Sequence, residues 1–132
     1  MKDKFNNGDK KVFQRKILSE DTAKFEEGEV HPVYSTFAIA RDAEWTCRLF
    51  ALEMKESEEE GIGTFVSVEH QSPAFVGEEV EFEAIIESVT GNEIVCSYVA
   101  KVGKRIIAMG KQKQKILLKE RIVEVFKEAK NG

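Results

Sequence analysis

With 132 residues the chain has room for about one domain, and 42% hydrophobic against 33% charged residues, with 9 Phe, supports a packed core and excludes a disordered chain. A formal charge of −4 argues against a broad cationic surface for nucleic acid, and Cys47 and Cys96 lie too far apart for a metal-ligand motif or a disulfide framework. The segment Met1–Gly8 lacks the apolar run of a secretory signal and no stretch approaches ~18 apolar residues, so a single cytoplasmic domain over 1–132, with buried thiols and no membrane partner, is expected.

In chain order, Lys10–Leu18 reads as a strand, with Val12, Phe13, Ile17 and Leu18 apolar in a charged background. A polar, charged stretch follows and ends at Pro32. From Ser35 to Lys55, good helix formers and the spacing of Ala40, Ala43, Cys47, Phe50, Ala51 and Met54 predict one long helix. The acidic run Glu56–Glu60 and Gly61 close it as a solvated loop. Beyond Gly61 the period changes to two. Val66, Val68 and His70 share one strand face, with Phe65, Ser67 and Glu69 on the other. Glu78–Val89 places Val80, Phe82, Ala84 and Ile86 inward and Glu79, Glu81, Glu83 and Glu87 outward, and Thr90-Gly91-Asn92 turns the chain. Glu93–Lys101 is apolar on both faces and belongs at the sheet centre, Gly103-Lys104 turns into a strand over Arg105–Leu118, and Lys119–Lys130 reads as a short terminal helix. This order predicts an α+β domain with one helix packed on a curved antiparallel sheet.

The helix carries a main apolar face of Ile39, Ala43, Cys47, Phe50, Ala51 and Met54, and a second stripe of Trp45, Leu49 and Leu52 beside Arg41 and Arg48. One sheet cannot cover both. The second stripe needs either the segment Glu20–Val33 or another subunit, and a homodimer is the preferred reading.

Three polar residues stand out: Thr36, Glu44 and His70 supply a hydroxyl, a carboxylate and an imidazole, the groups that activate a nucleophile and manage protons. Each alone has a structural explanation. Thr36 is a helix N-cap in competition with Ser35, Glu44 pairs with Arg48 at i,i+4 from a partly desolvated position, and His70 is satisfied by a backbone carbonyl. On the last strand Arg105, Lys111, Lys113 and Lys115 form a basic row by period-two counting, while Gln112 and Gln114 point the other way, toward a ligand or a dimer partner.

From Val33 to Val80 the chain resembles the fluoroacetyl-CoA thioesterase group of the hot-dog-fold family, through Tyr34-Ser35-Thr36-Phe37, Glu44-Trp45-Thr46-Cys47 and Gly63-Thr64…Val68-Glu69-His70. Pro73…Gly77-Glu78-Glu79-Val80 and the paired strands to Gly110 resemble the general hot-dog pattern. The resemblance implies a long central helix wrapped by a curved antiparallel sheet and paired as a dimer, with the chance of higher oligomers. It implies Thr36, Glu44 and His70 as the catalytic triad and Gly63 in the lining of the acyl pocket, near Phe37 and the preceding Phe25, Val33 and Tyr34. The implied activity is hydrolysis of a short-chain acyl-CoA to the free acid and CoA. No cofactor or metal is called for, CoA being part of the substrate, and Lys111 and Lys113 are candidates for its phosphates.

Eight residues of helix at ~1.5 Å rise would hold Thr36 and Glu44 ~12 Å apart. The triad therefore requires the regular helix to begin after Thr36, with Thr36 folded back from the entering loop, and a helix unbroken from Ser35 would rule it out. Two other classes compete. A non-catalytic acyl-CoA-binding hot-dog protein would not need the three polar residues together, and a nucleic-acid-binding β domain would need aromatic residues interleaved with its lysines, which the last strand lacks.

Overall fold

A computed structural model of the chain describes residues 1–25 and 28–132, apart from the side chains of Phe25, Glu29, Val30 and His31. The elements run β1 (Lys10–Lys16), β2 (Thr22–Phe25), β3 (Gly28–Tyr34), α1 (Thr36–Met54), β4 (Glu59–Val66), β5 (Glu69–His70), β6 (Glu79–Thr90), β7 (Glu93–Val102), β8 (Arg105–Leu118) and α2 (Lys119–Asn131), with a short 3₁₀ turn at Ser19–Asp21. Six strands form one antiparallel sheet in the order β1-β6-β7-β8-β4, with β5 also on β8.

Alternation along β6 and β7 turns Val80, Phe82, Ala84 and Ile86, and then Ile94, Cys96, Tyr98 and Ala100, into one buried face. Helix α1 lies on this face and buries Ile39, Ala43, Cys47, Phe50, Ala51 and Met54 against it, the predicted main stripe. Ser35 is its N-cap, with the hydroxyl accepting from the Ala38 N–H at 3.0 Å, and Thr36 is the first helical residue. This is the α+β architecture expected, one long helix against a curved antiparallel sheet. Among the described residues no helix is long and apolar enough to cross a membrane.

Four features depart from the sequence reading. The polar stretch after β1 forms a hairpin of β2 and β3, which pair from Thr22↔Tyr34 to Phe25↔Gly28 with two register shifts. The strand expected from Gly61 to His70 is two strands, and β4 begins at Glu59, so only Lys55–Glu58 remains as the acidic loop. On β8, Ala100 faces Ala108 but Lys101 faces Ile106, which leaves Ile107 as an extra residue. One inserted residue reverses the facing of what lies beyond it, so Arg105 falls out of the basic row and pairs with Glu78 at 2.8 Å. Finally, the second stripe of α1 is left partly open, with Trp45 42% and Leu52 39% exposed, and the segment expected to roof it, Glu20–Val33, lies partly outside the described residues.

A buried ionic cluster ties α1 to the strands before it. The carboxylate of Asp21 accepts from Arg15 at 2.9 Å, from Arg41 at 3.0 Å and from the Leu18 N–H at 2.8 Å. Asp42 accepts from Arg41 Nε at 3.0 Å and from the hydroxyl of Tyr34, which is itself fully buried. Burial alone would raise the Asp21 carboxyl, but the Leu18 amide and the two guanidinium groups outweigh it and hold its pKa below the ordinary range. Its contribution to stability is therefore complete above the ordinary aspartate value of 3.8 and is lost as pH falls through the lower folded value. Asp21→Asn should cost about 1–2 kcal/mol at neutral pH, since it removes the charged acceptor shared by the partly exposed Arg15 and Arg41. Urea melts compared between neutral and strongly acid pH should show a smaller loss for the variant than for the wild type.

Candidate active site

Thr36 opens α1, and His70 ends β5 opposite the inward-facing Ala108. The two meet: Thr36 Oγ1 lies 3.1 Å from His70 Nδ1. With Nδ1 unprotonated, the hydroxyl donates to it, which is the arrangement for moving a proton off a nucleophile. Backbone contacts fix both sides of the pair. The Ser35 N–H bonds the Asp21 carbonyl at 2.9 Å, and the Tyr34 N–H bonds the Ala74 carbonyl at 2.9 Å, which joins the start of α1 to the segment that follows His70. Both side chains are exposed.

Glu44 is elsewhere. The expected later start of α1, with Thr36 folded back, does not occur; the helix is regular from Thr36, so eight residues place Glu44 ~12 Å further along its axis. Within the protomer Glu44 makes no hydrogen bond to Thr36 or His70, which bond each other. The carboxylate of Glu44 instead rests on Gly63, where a Cβ would stand 1.7 Å from Oε1 and 2.8 Å from Cδ. Gly61 admits α1 in the same way, its would-be Cβ lying 3.2 Å from Ala51 Cβ. Glu44 is exposed rather than desolvated, and the expected pair with Arg48 is replaced by bonds from Arg48 to the Glu60 carboxylate at 3.0 Å and the Gly61 carbonyl at 2.8 Å.

The other expected site residues divide. Phe37 is 84% exposed beside Thr36, as a lid residue and not a core residue would be. Tyr34 presents nothing to a ligand: burial and then the neighbouring Asp42 carboxylate push its hydroxyl far above the ordinary phenol range, and it buttresses α1. Val33 is half-buried and bridges to Phe75, while the side chain of Phe25 lies outside those described. Lys111 and Lys113 face the outer side of the sheet, opposite the hydroxyl–imidazole pair. Lys111 bonds Glu87 at 2.9 Å, and Lys113 lies 5.3 Å from the centre of the Phe65 ring. The Arg15–Asp21–Arg41–Asp42 cluster had no sequence signature, because its members are scattered over three elements. Among the described residues no three His, Cys, Asp or Glu gather as a metal would require.

The model of the fluoroacetyl-CoA-specific thioesterase family, FlK, matches residues 17–120. The chain belongs to this family. A Thermus thermophilus hypothetical protein described as a thioesterase superfamily member is similar over 98% of this chain and 96% of its own, with 31% identity and a TM-score of 0.92. A single-residue variant of FlK matches at TM-score 0.87 and 21% identity over 97% of this chain and 99% of its own. A hot-dog-like protein from Thermanaerovibrio acidaminovorans matches at 0.86 and 20% over 95% and 93%. None of the curated proteins matches by sequence. The fold is the hot-dog fold, and family membership makes the protein a thioester hydrolase.

Gly63→Ala separates packing from chemistry. The obstructing atoms belong to the free end of a flexible side chain, so stability should change by less than ~1 kcal/mol. A crystal structure of the variant should show the Glu44 carboxylate turned away from residue 63, and thioester hydrolysis should fall by ~10²-fold.

Proposed function

We propose that the protein hydrolyses a short-chain acyl-CoA to the free acid and CoA in a homodimer, with Thr36 and His70 of one protomer completed by Glu44 of its partner. The observation that carries this reading is the 3.1 Å contact between the Thr36 hydroxyl and His70 Nδ1. The dimer is supported by β4, the edge strand of the sheet, and by the apolar side chains around it. Phe65 is 47% and Val66 39% exposed there, and Phe37 stands open at the start of α1. Thr36 and Glu44 both lie on α1, the helix that packs against this edge strand. A two-fold axis crossing the edge would exchange their positions and carry the partner's carboxylate toward the imidazole.

In the reaction His70 takes the proton of Thr36, or of a water, as the thioester carbonyl is attacked, and returns it as the thiolate of CoA departs; where Thr36 is the attacking group, a water activated in the same way then cleaves the acyl ester, releasing the acid and restoring the hydroxyl. Glu44 orients the imidazole or serves as the base itself. The Ala38 amide is already held by Ser35, and the Thr36 and Phe37 amides, which precede the first intrahelical bond, are the donors for the oxyanion. A short acyl group is favoured by the variant of FlK solved with fluoroacetate and CoA. Lys111 and Lys113 would meet CoA phosphates that pass round the β4 edge, where Lys113 already stacks on Phe65.

Release of free thiol from a panel of acyl-CoAs tests the activity. Thr36→Ala, His70→Ala and Glu44→Gln should each lower kcat by ~10²-fold or more. Acyl-CoA bound but never cleaved would instead indicate a non-catalytic binding protein. Mixing unfolded Thr36→Ala and Glu44→Gln chains in equal amounts and refolding them together should restore about one quarter of wild-type activity, because half the dimers are mixed and each holds one complete site. No recovery would overturn the sharing of one site between two protomers.

A further inference from the structure

Gln112 and Gln114 are fully buried on the inner face of β8. Their cross-strand neighbours are Cys96 and Ile94 on β7 and Val66 and Gly63 on β4, surroundings that an aliphatic side chain would fill without loss. Gln112 Nε2 donates one hydrogen to the Lys113 carbonyl at 2.9 Å. Gln112 Oε1 and both polar atoms of the Gln114 carboxamide have no partner among the described residues. Buried amides left unpaired weaken a fold, so their presence at two alternate positions of one strand calls for a use.

The use is indicated by what they face. Gln112 Nε2 lies 3.2 Å from the point a Gly63 Cβ would occupy, and Glu44 Oε1 lies 1.7 Å from that same point. Gln114 Oε1 lies 3.6 Å from the corresponding point on Gly61. The absent side chain of Gly63 is thus an opening through which a buried carboxamide looks at the Glu44 carboxylate. The charged neighbour on α1, Arg48, is already engaged by Glu60, and the Cys47 thiol beneath is kept neutral by its contact with Cys96 and by burial. From β8, Gln112 Nε2 is the side-chain donor that reaches the same point as Glu44 Oε1.

We propose that Gln112, backed by Gln114, is a positioning residue for Glu44: its second amide hydrogen fixes the carboxylate over Gly63 in the orientation that the reaction uses. The proposal rests on the reading of Glu44 as part of the hydrolytic site. Gln112 touches no substrate and acts through the carboxylate alone. Gln112→Met keeps the length of the side chain and removes the donor.

In the wild-type background Gln112→Met should lower kcat ~10-fold with KM changed less than ~2-fold, and in the Glu44→Gln background the same substitution should change kcat by less than ~2-fold. An equal loss in both backgrounds, or an unchanged kcat with a raised Tm, overturns the proposal, because either outcome makes Gln112 an ordinary core residue. A second measurement is independent of turnover. The side-chain amide signal of Gln112 in ¹⁵N NMR, assigned by its disappearance in Gln112→Met, should shift in Glu44→Ala and stay in place in His70→Ala. A signal that ignores Glu44→Ala overturns the proposal, whereas a wild type that cleaves no acyl-CoA while the signal still responds to Glu44 overturns only the hydrolytic reading.

Discussion

Helix α1 crosses the inner face of the sheet as one regular run from Thr36 to Met54, and its rigidity sets the distances in the site. Residues on a helix cannot be drawn together without breaking backbone hydrogen bonds, so a hydroxyl in its first turn and a carboxylate two turns later stay ~12 Å apart. The sheet answers at each end. At one end β5 brings an imidazole to the hydroxyl, and at the other β4 offers a glycine to the carboxylate. On the proposed reading these are two half-sites along one helix edge, and the dimer is what would make them whole.

Holding such a helix in place takes more than its apolar face. On the side that carries Trp45 the helix faces Phe13 and Arg15 of β1 across an open depression, and the start of α1 is secured by Asp21, Arg15, Arg41, Asp42 and the buried hydroxyl of Tyr34. Buried charges of this kind add little net stability over apolar packing, because desolvation offsets most of their attraction. Their geometry is what matters. Tyr34 donates its backbone N–H to the segment after His70 and its hydroxyl to α1, so one residue couples the two elements whose side chains must lie 3.1 Å apart.

Much of this was legible in the residues. Alternation in Val80, Phe82, Ala84 and Ile86 and the helical spacing through Cys47, Phe50 and Met54 report burial directly, and burial is what builds the sheet and α1. The hairpin of β2 and β3 was hidden because it is held by backbone pairing and lacks an alternating apolar face. Arg105 was misplaced because a single extra residue at Ile107 reverses the phase of a strand, and no composition marks a bulge. At the site, the types of Thr36, Glu44 and His70 and their resemblance to a family pointed to one constellation. The start of α1 keeps Thr36 and Glu44 of one chain apart, and this depended on Ser35 rather than Thr36 taking the cap.

The two faces of β8 divide the remaining labour. On the outside Lys111 and Lys113 are solvated, paired with Glu87 or stacked on Phe65. On the inside Gln112 and Gln114 lie in a place where hydrophobicity alone would select leucine or isoleucine. The extra residue at Thr64 keeps this division across the strand pair, turning Phe65 outward to Lys113 while Gly63 stays inward opposite Gln114. Without that bulge Phe65 would pair with Gln112 and turn inward. A chain that tolerates unpaired buried amides, a side-chain-free position and a register shift within a few residues of one acidic group has given up local packing at that spot, and in natural proteins such concessions gather where a group must be held for chemistry.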